Sequence, residues 1–262
     1  MKTKYVVALA LGILGLLACI TIDSRPMIEK SVSGDGFVVL ELFTSEGCSS
    51  CPKSDELLAR LRKEAGNKPV YILAYHIDYW DHQGWRDIFS NADYSKRQYW
   101  YADKLNAQVY TPQVIVNGIR EVVGSDQAAL TSALNSSLTG KTSTLLELNG
   151  RIKEGRLSVS YQLTQASPGL HLVIAVVQKN AVRQIKRGEN TGRSLNHIQI
   201  VQDLHSYKLE KSSNGQVAVL LPNAFSETGW EVICFLQNRE TGEIFAAGKV
   251  NLNDISAAEL SK

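Results

Sequence analysis

Along the first half of the chain the apolar positions change period in a definite order. The run GFVVLELF, Gly36 to Phe43, is continuously apolar with little alternation, which predicts a buried strand of the parallel-sheet kind. After the loop TSEG, Leu57, Leu58 and Leu61 recur at helical spacing, with Pro52 in a first-turn position and Asp55 and Glu56 in the early turns. A helix is therefore predicted from Ser50 or Cys51 through Leu61. PVYILAYHID, Pro69 to Asp78, is a second buried strand, and the two strands with the helix between them make a right-handed, parallel β-α-β unit. The segment YWDHQGWRDIFS, Tyr79 to Ser90, is aromatic, polar and irregular. Tyr94, Arg97, Tyr101 and Leu105 then predict a second helix. QVIVNG and REVVG predict two short strands joined at Asn117-Gly118, the dipeptide that most favours a tight hairpin. A last helix is predicted over Ser125 to Leu138.

The texture changes after the Ser/Thr/Gly/Lys-rich stretch NSSLTGKTST. From Leu145 to Leu252 short alternating or apolar runs such as RLSVSYQL, LHLVIAVVQ and WEVICFLQN recur between turn signals with hardly any helical periodicity, which predicts an antiparallel sandwich of about seven or eight strands. The expected organisation is an α/β domain over residues 28–140 and an all-β, sandwich-like domain over residues 145–255, with the boundary near 139–144. The β-α-β-α-β-β-α order of the first domain is the thioredoxin architecture.

With 262 residues, 44% of them hydrophobic and 21% charged, the chain can bury a sizeable core. A net charge of +2 and the lack of any long basic run leave no electrostatic case for nucleic acid, so protein or small-molecule partners are expected. At the N-terminus Lys2 and Lys4 precede an apolar run from Tyr5 to Leu17. That run is too short for a comfortable transmembrane helix and suits a signal peptide, so residues 1–27 fall outside the fold and the expected location is the periplasm. The run closes on LLAC, which resembles the lipobox of bacterial lipoproteins. On that reading Cys19 is lipidated and tethers the mature chain to a membrane; an ordinary cleaved signal is the alternative.

Export places the remaining thiols, Cys48, Cys51 and Cys234, in an oxidising compartment, where a close pair is either a disulfide or a dithiol kept reduced on purpose. Cys234, inside WEVICFLQN, is expected to be a buried core residue. Cys48 and Cys51 stand three apart at the predicted start of the first helix. Disulfide exchange needs one exposed, ionised thiol and a second close enough to release the mixed disulfide. The unpaired N–H groups of a helix N-terminus stabilise a thiolate, and residues i and i+3 share a helical face. Cys48 is therefore the candidate nucleophile and Cys51 the candidate resolving thiol. The pair needs no cofactor beyond its own redox-active disulfide. Its expected partners are thiols or disulfides of proteins or small molecules, together with an upstream redox partner. Structural zinc would want a second pair of ligands, and there is no second C-x-x-C, so no metal is assigned. A purely structural disulfide across so tiny a loop would gain little from loop entropy.

Thr111-Pro112 follows Cys51 by sixty positions and immediately precedes a short strand. Thioredoxin-like proteins hold a cis-proline in that place beside the C-x-x-C, and the backbone of the preceding residue pairs with the bound substrate chain. Thr111 and Pro112 are accordingly the candidate substrate groove. LELFTSEGCSSCP, HIDYWDHQGW, VYTPQVIVNG and RGENTGRSLNH together resemble the domain-of-unknown-function 1223 family of exported bacterial proteins, a branch of the thioredoxin-like superfamily. The resemblance covers most of the mature chain. It implies a thioredoxin-like domain followed by an all-β domain and carries no established substrate.

The chain departs from well-studied thioredoxins in two places. Ser49-Ser50 stands where they have Gly-Pro, and this dipeptide helps to set the reduction potential, so the direction of electron flow is not legible. Glu46 and Gly47 precede Cys48 where a tryptophan is usual, and a carboxylate at Glu46 close to the sulfur would oppose thiolate formation. His76, Asp78, Tyr79, Trp80, Asp81 and Trp85 cluster at the carboxyl end of the second strand, where parallel sheets place ligands. His76, Asp78 and Trp80 are thus accessory candidates, and His76 is the one expected to face the cysteines. In the competing arrangement Tyr79, Trp80 and Trp85 pack on the neighbouring helix and Asp81 caps it. RGENTGRSLNH, polar and with Gly188 and Gly192 permitting a tight path, reads as a charged surface loop between strands, with a functional loop packed against the first domain as the alternative. The expected function is an exported thiol-disulfide oxidoreductase. The alternatives are a copper-handling module with Cys48, Cys51 and His76 as ligands, thiolates and imidazole being suited to Cu(I), and a non-catalytic interaction protein on the same fold.

Overall fold

The computed structural model describes residue 28 and residues 35–142, 144–164, 169–209 and 213–252. The leader and Cys19 lie outside the described residues. The first half contains β1 (Val38–Thr44), α1 (Cys51–Ala65), β2 (Val70–His76), α2 (Ala92–Leu105), β3 (Gln113–Val116), β4 (Arg120–Val123) and α3 (Gln127–Leu138). The second half is all strand: β5 (Leu146–Lys153), β6 (Arg156–Leu163), β7 (Leu170–Gln184), β8 (Ser194–Lys208), β9 (Asn214–Leu220), β10 (Trp230–Asn238), β11 (Ile244–Lys249) and β12 (Asn251–Leu252). Among the described residues no helix is long and apolar enough to cross a membrane.

Two sheets hold these strands. The larger has eight, in the order β11-β10-β7-β8-β2-β1-β3-β4, and the smaller has four, in the order β12-β5-β6-β9. β1 and β2 run parallel in register from Val38↔Val70 to Thr44↔His76, while β3 pairs antiparallel with β1 and β4 with β3. The two halves of the chain do not keep to separate sheets, because β8 lies beside β2 and pairs with it in parallel at Ala74↔Ile200. β7, β8, β10 and β11 therefore extend the sheet of the first half, and β12 adds a parallel contact with β5 where only antiparallel pairs were expected.

The period of two along β1 divides the core. Val38, Leu40 and Leu42 face one way and pack with Leu57, Leu58 and Leu61 of α1 and Leu130, Ala133 and Leu134 of α3. Val39 and Phe43 face the other way, with Tyr94 and Tyr101 of α2 and with Val173, Ile233 and Phe235 of the second half. A third cluster fills the space between the two sheets, where Leu157 and Val159 of β6 meet Leu172, Ile174, Val232 and Cys234. Leu58 and Leu61 are fully buried, and each such side chain contributes about 1.5–3 kcal/mol of transfer free energy. This anchors the helix that carries the cysteine pair.

Helix ends follow local chemistry. α3 starts at Gln127 instead of Ser125 because the Asp126 carboxylate accepts from the Ala129 N–H at 3.0 Å. α2 is capped by Asn91, whose side chain accepts from the Asp93 N–H at 2.9 Å, and not by Asp81. The predicted turn at Asn117-Gly118 is present, with φ of 48° and 73°. Gly118 is required twice over, since a Cβ there would also lie 1.9 Å from the Gly242 carbonyl oxygen. Asn117 ties the turn to β1 by accepting from the Val39 N–H at 2.7 Å, which fixes β3 and the segment leading into it.

Within the large sheet one charged side chain is buried in the otherwise apolar run of β1. Glu41 is fully buried in β1 and meets Arg97 of α2 through two hydrogen bonds, at 2.6 and 3.0 Å. The Tyr101 hydroxyl also donates to Glu41, and Arg97 donates to Gln237 of β10 at 3.0 Å. The guanidinium lies between 5.1 and 5.7 Å from the ring centres of Tyr75, Trp100, Tyr101 and Phe235. This network joins both halves of the chain through α2.

Candidate functional site

The segment between β1 and α1 folds as two successive turns, with the Cys48 N–H donating to Ser45 O and the Cys51 N–H donating to Cys48 O, each at 3.3 Å. They leave Cys48 just ahead of the helix and Cys51 as its first residue, with Pro52 in the first turn, where its missing N–H costs nothing. Cys48 and Cys51 are joined as a disulfide, their Cα atoms 5.5 Å apart. The predicted proline turn lies against them. Thr111-Pro112 is a cis peptide, and the Cys48 sulfur is 3.9 Å from the Thr111 carbonyl oxygen. The Ser50 hydroxyl reaches both, at 3.2 Å from Cys48 Sγ and 3.4 Å from Thr111 O.

The accessory candidates divide. Trp80 belongs to the site, because its indole N–H donates to the Thr111 hydroxyl at 2.8 Å and so orients the turn. Glu46 is fully buried, but its carboxylate accepts from the Trp85 indole at 2.7 Å and from Arg183 at 3.1 Å. The carboxylate expected to oppose a thiolate at Cys48 is thus one with donors of its own. His76 is buried, with its Nδ1 at 2.6 Å from Asp87 and its ring 4.9 Å from that of His197. Asp78 turns to α2, where it accepts from Ser95. Tyr79 donates to Gln98 of α2 at 3.1 Å and also borders the pocket beside Thr111, so the aromatic segment reaches the site through Trp80, Trp85 and Tyr79 and ties to the helix through Tyr79.

The largest correction concerns RGENTGRSLNH. It is no free surface loop, since the end of the β7–β8 hairpin folds down onto the cysteine segment. The Asn190 side chain is fully buried and donates to the carbonyls of Glu46 and Cys48, both at 2.9 Å. Glu189 accepts from the Ser49 N–H at 3.0 Å, and the Ser49 hydroxyl together with this N–H lowers its carboxyl from the ordinary value. Under this cover Cys48 is only 1% exposed, where an exposed thiol was expected. His197 of β8 lies between Asp55 of α1 at 3.1 Å and Glu46 at 3.4 Å. Sequence reasoning missed Asp55, Asp87, Arg183, Asn190 and His197 as members of the site. Asp55 had a local signal, one helical turn beyond Cys51, and Asn190 and His197 lay in a quoted motif. Arg183 and Asp87 carried none.

Electrostatics at this site favour a charged His197. Burial pushes its imidazole down, but the bonds to Asp55 and Glu46 and the nearby Asp87 outweigh this and raise it to about 9. Burial likewise raises the Asp87 carboxyl, and the opposing charge and hydrogen bond of His76 with the N–H groups of Glu46 and Phe89 bring it below the ordinary value. A raised histidine stabilises the fold most below its unfolded value of 6.5, and that contribution is lost as pH climbs toward about 9. Urea unfolding of the wild type should therefore lose on the order of 1–3 kcal/mol between pH 6 and pH 9.5, and His197→Gln should flatten the dependence. An equal slope in both proteins would exclude His197 as its source. Cys234, by contrast, is an isolated core thiol that burial pushes far up. Among the described residues no group of three or more His, Cys, Asp or Glu side chains has the geometry to hold a metal ion.

The comparisons with known proteins agree with this geometry at the level of the fold. The crystal structure of protein AGR_C_4864 from Agrobacterium tumefaciens is similar over 87% of this chain and 99% of its own, at 25% identity and a TM-score of 0.64. HBP35 of Porphyromonas gingivalis is similar in fold over 87% of this chain and 79% of its own, at 16% identity and a TM-score of 0.62. No curated protein is significantly similar to the chain. The model of the family described as "Protein of unknown function (DUF1223)" matches residues 39–237, which span both the cysteine pair and the hairpin loop that covers it. The chain belongs to the DUF1223 family.

Proposed function

We propose that this chain is an exported thiol-disulfide oxidoreductase that works through Cys48 and Cys51. On this reading residues 28–140 are a thioredoxin-like unit and the later strands form a sandwich-like layer packed beside it. Support comes from the order β2-β1-β3-β4, with β1 and β2 parallel and helices on both faces. The observation that carries the reading is the contact of the cysteine pair, at a helix start, with the Thr111-Pro112 turn 3.9 Å away. Either motif alone is common, and their meeting in space is what an exchanger requires.

In the exchange an incoming thiolate attacks the Cys48 sulfur, the Cys48–Cys51 bond breaks and Cys51 leaves as a thiolate. A second thiolate of the substrate then attacks its own sulfur in the mixed disulfide and frees Cys48. The substrate is left oxidised and the protein holds a dithiol; the reverse sequence reduces a substrate. The incoming chain lies along Thr111. Beside that residue Tyr79, Trp80, Tyr99, Val109 and Tyr110 line a pocket of about 500 Å³ that can receive an apolar side chain. An upstream partner restores the pair. The leader carries the chain to the periplasm, with Cys19 as the lipid-bearing residue.

Glutathione tests the reading directly. In glutathione buffers the wild-type pair should equilibrate between disulfide and dithiol, and Cys51→Ser should accumulate a mixed disulfide mapped to Cys48 by peptide mass. No exchange over hours, or an adduct confined to Cys234, would end the redox reading.

A further inference from the structure

The exchange reaction makes no use of the charges buried around Glu46 and His197. Glu46, Asp55, His76, Asp87 and His197 are all buried there, and Arg183 reaches in to Glu46. Ionised groups taken out of water cost several kcal/mol each unless paired, which makes such a cluster a candidate for function. Three separate elements supply its centre. The turn before α1 gives Glu46, two residues ahead of Cys48. α1 gives Asp55, four residues after Cys51 and so on the same helical face. β8 gives His197, which touches both carboxylates.

We propose that His197 is a positioning residue of the dithiol: it holds a cation between Asp55 and Glu46, so that these carboxylates do not oppose a thiolate at Cys48, and it thereby sets the acidity of the pair. The proposal deepens the redox reading and rests on it. When a small dithiol reduces the protein, the Cys48–Cys51 bond breaks and two electrons arrive from the donor, whose sulfurs pair as its own disulfide. Cys48 becomes a thiolate, Cys51 takes one of the donor's protons and the other goes to solvent. The site gains one negative charge in this step, on a residue two positions from Glu46 and just ahead of the helix that carries Asp55, and those carboxylates would repel it if His197 were neutral. The remaining groups around the imidazole do not replace it. His76 is engaged by Asp87, Arg183 is spent on Glu46, Arg193 bonds Asn190, and Phe89, 5.9 Å away, is apolar.

Two measurements on the full chain test the coupling. Reciprocity requires that if His197 favours the thiolate, the thiolate favours protonated His197. The imidazole resonance of His197 in the wild type should thus titrate at higher pH in the phosphine-reduced protein than in the oxidised one. Separately, the pH midpoint for iodoacetamide alkylation of Cys48 should rise by about one unit in His197→Gln, a tenfold loss of thiolate at a given pH, and return in His197→Lys. A merely structural histidine would alter unfolding and leave that midpoint in place. Equal His197 titration in both redox states, or an unchanged alkylation midpoint in a folded His197→Gln, would overturn the proposal. If the glutamine variant fails to fold, the wild-type resonance decides. Failure of the wild type to exchange with glutathione refutes the redox reading itself; exchange without coupling refutes only the role of His197.

Discussion

Arg97→Ala should lower the unfolding free energy by about 3–5 kcal/mol, the cost typical of removing one partner from a buried ion pair. Arg97 is 7% exposed and Glu41 is not exposed at all, so deleting the guanidinium strands a carboxylate in the middle of a sheet. Little is available to replace it, since the remaining donor to Glu41 is the Tyr101 hydroxyl, itself shared with Gln237 at 2.6 Å. The loss also strips four aromatic rings of the cation they surround. Because Gln237 belongs to β10 and Glu41 to β1, the damage should spread to both halves of the chain and appear as one cooperative transition at lower urea. Glu41→Leu combined with Arg97→Met should restore much of the stability, because an apolar pair of similar size carries no desolvation penalty. A single-variant loss below about 1 kcal/mol would mean that water already reaches this pair, as it does at exposed ion pairs.

That same network shows where the sequence could be read and where it could not. β1 and β2 were legible because an unbroken apolar run has few other uses, and α1 because Leu57, Leu58 and Leu61 share one face. The hairpin at Asn117-Gly118 was legible because few dipeptides accept two positive φ angles, and the meeting of the cysteine pair with Thr111-Pro112 follows once these elements close. Glu41 was read as part of a strand, but its partner lies 56 positions away on a helix, and no local pattern joins the two. The strands of the second half were visible as strands, yet alternation says nothing about neighbours. That β8 would lie beside β2 depends on pairing across the whole chain. The site suffered in the same way. A polar, glycine-containing stretch such as RGENTGRSLNH looks solvated unless the backbone carbonyls it will satisfy are known, and those of Glu46 and Cys48 are more than 140 positions away.

The cover formed by that stretch should open about 30- to 150-fold more often in Asn190→Ala, corresponding to the loss of about 2–3 kcal/mol from two buried hydrogen bonds. The Asn190 amide is the donor to both carbonyls, and its own oxygen accepts from Arg193 at 2.9 Å, which holds the loop in its turn. Alanine supplies none of these bonds, takes from the Glu46 carbonyl the amide that donates to it, and leaves the Cys48 carbonyl with the Cys51 N–H alone. Gly188 adds to the fit, since φ there is 79° and a Cβ would lie 3.0 Å from Trp85 Cβ, so that glycine follows this path where a larger residue would be strained. Glu189→Gln should have a smaller effect, because the bond to Ser49 lies at an exposed position and is of the kind that contributes little. The rate at which a small phosphine reduces the Cys48–Cys51 disulfide reads the opening chemically, and amide exchange across residues 185–193 reads it without chemistry. Both should rise together in Asn190→Ala if a substrate must displace this hairpin to reach Cys48. Faster amide exchange with an unchanged reduction rate would mean that the sulfur is reached from the Thr111 side with the hairpin in place, and access to the dithiol would then belong to the Trp80 and Tyr110 surface alone.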